Sequence, residues 1–296
     1  MSSTASKLPP LATLGPFIAL ILACAFFATQ SERFLSAQNF ALILQQVMVV
    51  AVIALGQTLV ILTAGIDLSC GMVMALGGIV MTKMAADYGL SAPVAIACGM
   101  AVTMLFGLIN GLLVTKIKLP PFIVTLGTLN IAFAATQLYS GAQTITDIPA
   151  GMTALGNTFQ LGQTAIVWGA VLMLALYLVT WFALRETAPG RHVYAVGNSP
   201  EATRLTGIAT DSTGAGDPNA GQTENLDAIS AVVLGGTSLF GGRGMILGTL
   251  VGALIVGVFR NGLTLMGVSS VYQILVTGIL VILAVATDQL SRKGVR

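Results

Sequence analysis

One acidic residue stands between two long uncharged stretches and is the first candidate for chemistry. Asp67 follows the uncharged residues 34–66 and lies two positions before Ser69, in the sequence Ala-Gly-Ile-Asp-Leu-Ser-Cys-Gly. An ionisable side chain at membrane depth is costly and usually has a function. Asp67 could bind a coupling ion, or its carboxylate could cap the helix that begins near residue 69. We favour the cap, and the two roles are compatible.

A second polar interruption resembles the first. Leu59–Gly78 and Ala231–Leu250 each contain an apolar half, a glycine-rich polar break and a second apolar half that begins Gly-Met-Val or Gly-Met-Ile. Transporters with two repeats place such broken helices around a central path. Chance similarity between two glycine-rich stretches is the alternative. The polar residues that would shape the two breaks are Asp67, Ser69, Thr237 and Ser238.

Polar side chains within the apolar runs could line a path for a hydroxylated solute. Gln57, Asn110 and Asn130 are the weaker path candidates of this kind. The simpler interpretation of most such residues is a hydrogen bond to their own helix or packing between helices.

A short helix is predicted outside the apolar runs. Residues 199–207 begin Ser-Pro-Glu, which gives an N-cap, a first-turn proline and an early acid, and they end in glycine. Such a helix can lie in a groove of a soluble partner. The alternative is a helix resting on lipid headgroups, and its thin apolar face argues against that.

Composition and missing motifs exclude several functions. Only 8% of the residues are charged and 55% are hydrophobic, whereas a soluble domain carries about 25% charged residues. The net charge of +2 is too small for a nucleic-acid surface. A single histidine, His192, and three cysteines exclude a zinc cluster, and no P-loop motif is present to hold ATP. We therefore expect no catalytic residue, metal or cofactor in this chain.

The elements that must position these residues are apolar helices. Six stretches of 24 to 37 residues contain no Asp, Glu, Lys or Arg, and a membrane helix needs about 20 apolar residues. Unpaired backbone is not tolerated in lipid, so we predict an all-α, polytopic transmembrane bundle with two broken or re-entrant segments. The predicted spans are 11–29, 41–63, 69–86, 92–114, 121–139, 165–184, 227–240, 244–266 and 271–287.

Loop charges predict an orientation. Lys and Arg are concentrated at 115–120 and 185–210 and are absent from 140–163, which places the first two inside and the N-terminus, 1–10, in the cytoplasm. Three further crossings would then leave the basic tail, 288–296, outside. Either 227–240 is re-entrant, which we favour because it is short, or one span is absent.

Long stretches of the sequence resemble the permease subunit of ribose-type ABC sugar importers. They are Gly56–Ser69 (GQTLVILTAGIDLS), Gly190–Gly197 (GRHVYAVG), Glu201–Ile208 (EATRLTGI) and Leu226–Leu239 (LDAISAVVLGGTSL). The resemblance implies a single permease domain over 1–296 that carries a ribose-like pentose or a hexose across the bacterial inner membrane. It also implies a second permease copy, a periplasmic sugar-binding protein and a cytoplasmic ATPase subunit as partners.

The same resemblance assigns ATPase coupling to the loop at 185–210. The residues that match the coupling pattern are Glu201, Ala202, Arg204 and Gly207. Two alternatives stay open. One is an ion-coupled secondary transporter, for which Asp67 would be the ion site, and the other is an importer permease that has lost transport.

The sequence departs from the family pattern at three places. Cys70 stands where the family usually has valine, and Glu224-Asn225 replaces a usual Tyr-Glu. The third departure is a gap. Between Ile208 and Pro218 the family carries a further apolar span, whereas this chain has nine polar or small residues that cannot cross a bilayer. We therefore expect 211–226 to be a polar connection in place of one span.

Overall fold

The computed structural model describes residues 11–146, 148–198 and 224–293. Those residues form a helical bundle, which confirms the predicted fold class. The described α-helices are α1 Leu11–Gln30, α2 Ala37–Leu62, α3 Cys70–Ala86, α4 Ala92–Thr115, α5 Pro121–Ser140, α6 Trp168–Glu186, α7 Ala188–Asn198, α8 Glu224–Leu234, α9 Ile246–Leu265 and α10 Ser270–Lys293. The predicted spans match nine of these helices.

Five helices are long and apolar enough to cross a bilayer, by length and composition. They are α2, α4, α5, α6 and α9. Shorter apolar helices lie in α1, α3 and α10. The chain is therefore a multi-pass membrane protein.

Three local elements differ from the prediction. Strands β1 (Thr158–Leu161) and β2 (Thr164–Val167) form an antiparallel hairpin, and a 3₁₀ helix at Ala150–Gly156 precedes it. The predicted span at 165–184 therefore begins three residues later. Helix α7 lies where we predicted a loop, because basic residues interrupt its apolar pattern. Helix α10 continues to Lys293, through most of the predicted tail.

Helix α2 lies at the centre of the larger of two packed groups. It contacts α6, α8 and α9, and α1 packs against α9. The interior of this group contains the fully buried side chains of Phe27, Ile61 and Tyr177. Helices α3, α4 and α5 form the second group, which has its own buried cluster around Met72 and Leu76. The first break joins the two groups.

Glycines bring α8 and α9 into backbone contact. A Cβ on Gly252 would lie 1.9 Å from the carbonyl oxygen of Ala231, and one on Gly248 would lie 2.2 Å from that of Gly235. Only residues without a side chain permit this separation, which is the close packing that small residues provide between membrane helices. Gly107 on α4 is different, because the space around it is open.

The end of α7 and the start of α8 lie at opposite ends of α9. The Tyr194 hydroxyl on α7 donates to the Gly244 carbonyl, 3.1 Å away, next to the first turn of α9. Asp227 in the first turn of α8 pairs instead with Arg260, near the last turn of α9. Gly262, still further along α9, packs against Phe27 of α1. Residues 199–223 connect these two ends.

Candidate functional site

The first break lies between α2 and α3. Helix α2 ends with Ala64 in the left-handed region, at φ 60°, and the Gly65 amide donates back to the Val60 carbonyl at 3.0 Å. The chain then runs without helical hydrogen bonds until α3 begins at Cys70. The backbone groups of this segment therefore need partners from elsewhere.

Three successive carbonyls of the break receive hydrogen bonds from three different helices. The donors are Thr125 of α5 to Ile66 O at 3.2 Å, Gln57 of α2 to Asp67 O, and Asn225 of α8 to Leu68 O at 2.6 Å. An unsatisfied carbonyl at membrane depth is costly, so these donors allow the helix to be interrupted there. The break is thus held by the surrounding helices.

Asp67 forms the start of a second chain of hydrogen bonds. Its Oδ1 accepts from the Ser69 amide at 2.7 Å and from the Ser69 hydroxyl at 2.6 Å. Asn110 of α4 donates to the same hydroxyl at 3.0 Å, and Thr128 of α5 donates to Asn110. The carboxylate therefore accepts the amide two residues ahead, directly before α3, as in an Asx turn, whereas an N-cap side chain would accept from the second or third helical amide.

Gln57 connects this break to α8. Its side-chain nitrogen also lies 3.4 Å from the Cys70 sulfur and 3.4 Å from Asn225 Oδ1. The Cys70 thiol donates to Asn225 Oδ1 at 3.0 Å. Cys70 and Asn225, two of the positions that depart from the family pattern, are therefore in direct contact.

The second break, between α8 and α9, contains Thr237 and Ser238. Both are buried. The Ser238 amide donates to the Arg243 carbonyl at 2.9 Å, and its hydroxyl accepts from the Phe240 amide at 3.3 Å. The Thr237 side chain lies against Gly244. This segment is therefore a compact turn.

The two breaks contact each other. The Gly242 amide donates to the Leu62 carbonyl at 2.9 Å, and a Cβ on Gly241 would lie 2.8 Å from the Ala64 backbone nitrogen. Nearby, the hydroxyls of Thr58 on α2 and Thr249 on α9 are 2.7 Å apart. The two similar stretches of sequence are therefore adjacent, as expected if both shape one path.

The other predicted site residues do not contribute to the described contacts at the two breaks. Asn130 is exposed on α5 and donates to the Leu126 carbonyl of its own helix, so the structure does not join it to the cluster. The coupling residues Glu201, Ala202, Arg204 and Gly207 lie outside the described residues.

Sequence reasoning missed two features near the breaks. Asn225 was assigned to a polar connection, although it directly precedes an apolar run. The buried ion pair between Asp227 and Arg260 was also missed. A signal existed for the pair, because opposite charges at the outer ends of two adjacent apolar runs favour an antiparallel helix pair.

The sequence matches a known family over most of its length. The family described as "Branched-chain amino acid transport system / permease component" matches residues 39–215 and 210–285, in two pieces that meet at 210–215. No solved structure matches the chain.

Three curated relatives are sugar import permeases. The chain is 44% identical to the fructose import permease of Rhizobium meliloti, over 94% of this chain and 85% of the relative. It is 38% identical to the ribose import permease of Bacillus subtilis (93% and 92% covered) and 34% identical to the D-allose transport system permease of Escherichia coli K12 (94% and 92% covered).

Each alignment has more positions than the number of residues of this chain that it includes. Ninety-three per cent of 296 residues is about 275, so about 26 of the 301 positions aligned with the Bacillus permease have no counterpart here. That number is close to one membrane helix. Coverage and identity at these levels show that the chain belongs to the family of ABC importer permease components, which are membrane-spanning transport subunits and not enzymes.

Proposed function

We propose that this chain is the permease of an importer that moves a monosaccharide across the bacterial inner membrane. The observation that carries the proposal is its similarity, over more than nine-tenths of its length, to permeases named for fructose, ribose and D-allose. ATP hydrolysis then belongs to a separate subunit. The polar cluster between the two breaks supports a path for an uncharged, hydroxylated solute.

The path proceeds between the two broken helices. Asp67 and Ser69 shape the first break, and Thr237 and Ser238 shape the second. Gln57 and Asn110 donate hydrogen bonds from neighbouring helices to the first break. Asn130 stays the weakest candidate, since it is exposed on the outer surface of α5.

The partners follow from the family. We propose a homodimer of this permease, a periplasmic sugar-binding protein on one face and an ATPase subunit on the other. Coupling to the ATPase is assigned to Glu201, Ala202, Arg204 and Gly207, which follow α7 directly in sequence. Lys and Arg are frequent in this part of the chain, which supports its cytoplasmic location and a cytoplasmic N-terminus.

Co-purification with an ATPase tests the coupling assignment. Glu201→Lys should release the ATPase of the neighbouring importer genes, or abolish its stimulation, while the permease stays in the membrane. Glu32→Lys is the matched control, because it makes the same charge change at an exposed position between α1 and α2, outside the coupling loop. Equal ATPase binding and stimulation in both variants would exclude this coupling site.

A second candidate function is a permease that has lost transport. Two observations favour it: the family match divides at 210–215, and α7 and α8 meet opposite ends of α9, which is about 30 Å long. A chain that joins those ends through lipid needs its backbone groups paired, as in a helix. The polar sequence of 209–217 is unsuited to one, and we propose that one span is missing.

A further inference from the structure

An acceptor without a donor is buried where α2, α3 and α8 meet. Gln57 is 2% exposed, and its side-chain oxygen has no hydrogen-bond partner among the described residues. A buried, unpartnered polar atom is unfavourable and rare. It therefore points to a group that is absent from the chain itself.

The amide orientation is fixed by its surroundings. The Gln57 nitrogen faces three acceptors, namely the Asp67 carbonyl, Asn225 Oδ1 and the Cys70 sulfur. Rotating the amide by half a turn would place its oxygen against the Asp67 carbonyl and Asn225 Oδ1, and the bonds to both oxygens would be lost. The oxygen therefore has to remain the group without a partner.

The neighbouring amide is fixed in the same way. Asn225 donates to the Leu68 carbonyl and accepts from Cys70, so its nitrogen is already used at 2.6 Å. The Gln57 oxygen therefore requires a donor from outside the cluster. A hydroxyl group, which carries one donor and two acceptor positions, fits that requirement.

We propose that the cluster of Gln57, Cys70 and Asn225 binds a hydroxyl group of the transported solute, with the hydroxyl donating to the Gln57 side-chain oxygen. The inference rests on the proposed import function and names a contact within it. A thiol is a weak donor. The Cys70–Asn225 bond is therefore the one that breaks most readily when α3 and α8 separate to admit the solute.

The cluster also defines a class of solute. The oxygens that face the cluster belong to carbonyls and amides. One of these carbonyls is that of Asp67, which also carries a half-buried carboxylate. Like charges repel strongly where water is scarce. A neutral polyol or sugar is therefore accepted, and an anionic sugar acid is rejected.

Alkylation of Cys70 tests this contact without requiring transport. With Cys24 and Cys98 replaced by alanine, Cys70 is the only cysteine. Membranes containing this chain are treated with N-ethylmaleimide, and the modified fraction is measured by mass spectrometry. Millimolar D-fructose, D-ribose, D-xylose or D-allose is added in separate samples, with D-gluconate as the anion.

We expect at least one neutral sugar to slow alkylation several-fold and gluconate to have no effect. Protection should disappear in Gln57→Met and persist in Gln160→Met, the matched control, which makes the same substitution at an exposed position of β1. A melting temperature measured for each variant shows whether it is folded. The main comparison, between neutral sugars and gluconate, uses the chain that retains Gln57.

Several results would overturn the inference. They are protection by none of the four sugars, protection that persists in Gln57→Met, protection lost equally in Gln160→Met, and a Cys70 that never reacts. Uptake without protection would reject this contact alone. Absence of both uptake and ATPase binding would reject the proposed function, which the alkylation measurement does not assess.

Discussion

The carboxylate of Asp67 forms hydrogen bonds at the start of α3, and we expect it to act there in structure and not as an ion site. It accepts both the amide and the hydroxyl of Ser69, and that hydroxyl in turn accepts from Asn110. Asp67→Asn keeps an acceptor oxygen, so we expect a small fall in the melting temperature of the purified protein. Asp67→Leu leaves these donors buried without an acceptor, at about 1–3 kcal/mol each, and should destabilise strongly.

The same pair of variants separates the cap from an ion site. The uptake comparison uses the chain that carries the corresponding Rhizobium segment between Ile208 and Pro218. If Asn proves as damaging as Leu to uptake there while stability is retained, the negative charge itself is required. That outcome would favour the ion-coupled transporter over the structural role. Measurement of uptake with and without an imposed ion gradient completes the comparison.

The ion pair between α8 and α9 should respond unequally to loss of its two partners. The Asp227 side chain is 7% exposed, whereas Arg260 is 35% exposed. Arg260→Met therefore leaves the buried Asp227 charge without a partner, which costs about 3–5 kcal/mol in such pairs. Asp227→Leu instead leaves an arginine that can reach solvent or lipid headgroups. We expect the first variant to melt at the lower temperature.

The double variant provides the control. Asp227→Leu with Arg260→Met removes both charges, so it should be more stable than Arg260→Met alone. A double variant whose loss equals the sum of the two single losses would show that the side chains do not interact.

At the scale of elements, the glycine contact between α8 and α9 predicts a sharp contrast. Gly252→Ala places a Cβ 1.9 Å from the Ala231 carbonyl oxygen, so the helices have to separate. We expect a large fall in melting temperature. Gly107→Ala makes the same substitution within α4, where space is open, and alanine favours the helix by about 1 kcal/mol. That variant should melt at the same temperature or higher.

Hydrophobic stretches were sufficient to locate most elements. Predicted and observed helix ends of α3, α4 and α5 agree within one or two residues, because charged, glycine or proline residues interrupt the apolar runs there. The hairpin Thr158–Val167 was missed. Its strands are only four residues long, and their pattern is too short for a period of two to be distinguished.

The site could be predicted only in part. Asp67 and Ser69 were identified because their polarity contrasts with the apolar surroundings, and they are bonded to each other. The contact of Gln57 with Asn225 joins residues 168 positions apart. Periodicity within a helix indicates which face is buried but not which helix covers it, so this part required the packing.

At the scale of the whole molecule, we expect the chain to be short of one crossing. We expect little or no sugar uptake from it in cells that supply the ATPase and the binding protein. Inserting the corresponding segment of the Rhizobium permease between Ile208 and Pro218 should restore uptake. A scrambled polar insert of equal length is the control, and uptake by the unaltered chain would contradict the prediction.

The side of the connection can be measured directly. A single cysteine at Ser212, in a background without other cysteines, is treated with a membrane-impermeant thiol reagent in intact cells. We expect no labelling from outside, because Ser212 directly follows the loop at 185–210, which we propose to be cytoplasmic, without a span between them. Labelling from outside together with normal uptake would refute both the topology and the expected loss of transport.

The contact between α8 and α9 has a mechanical consequence. Backbone touches backbone where Gly248 and Gly252 meet Gly235 and Ala231, so no layer of side chains lies between the helices at that contact. An ion pair also connects their far ends. They should move as one rigid body. We then expect any opening of the bundle to occur where Gln57, Asn225 and the backbone of the first break meet. Hydrogen bonds there can exchange partners at small cost. We therefore expect these hydrogen bonds, and not the glycine interface, to form the hinge line of this protein.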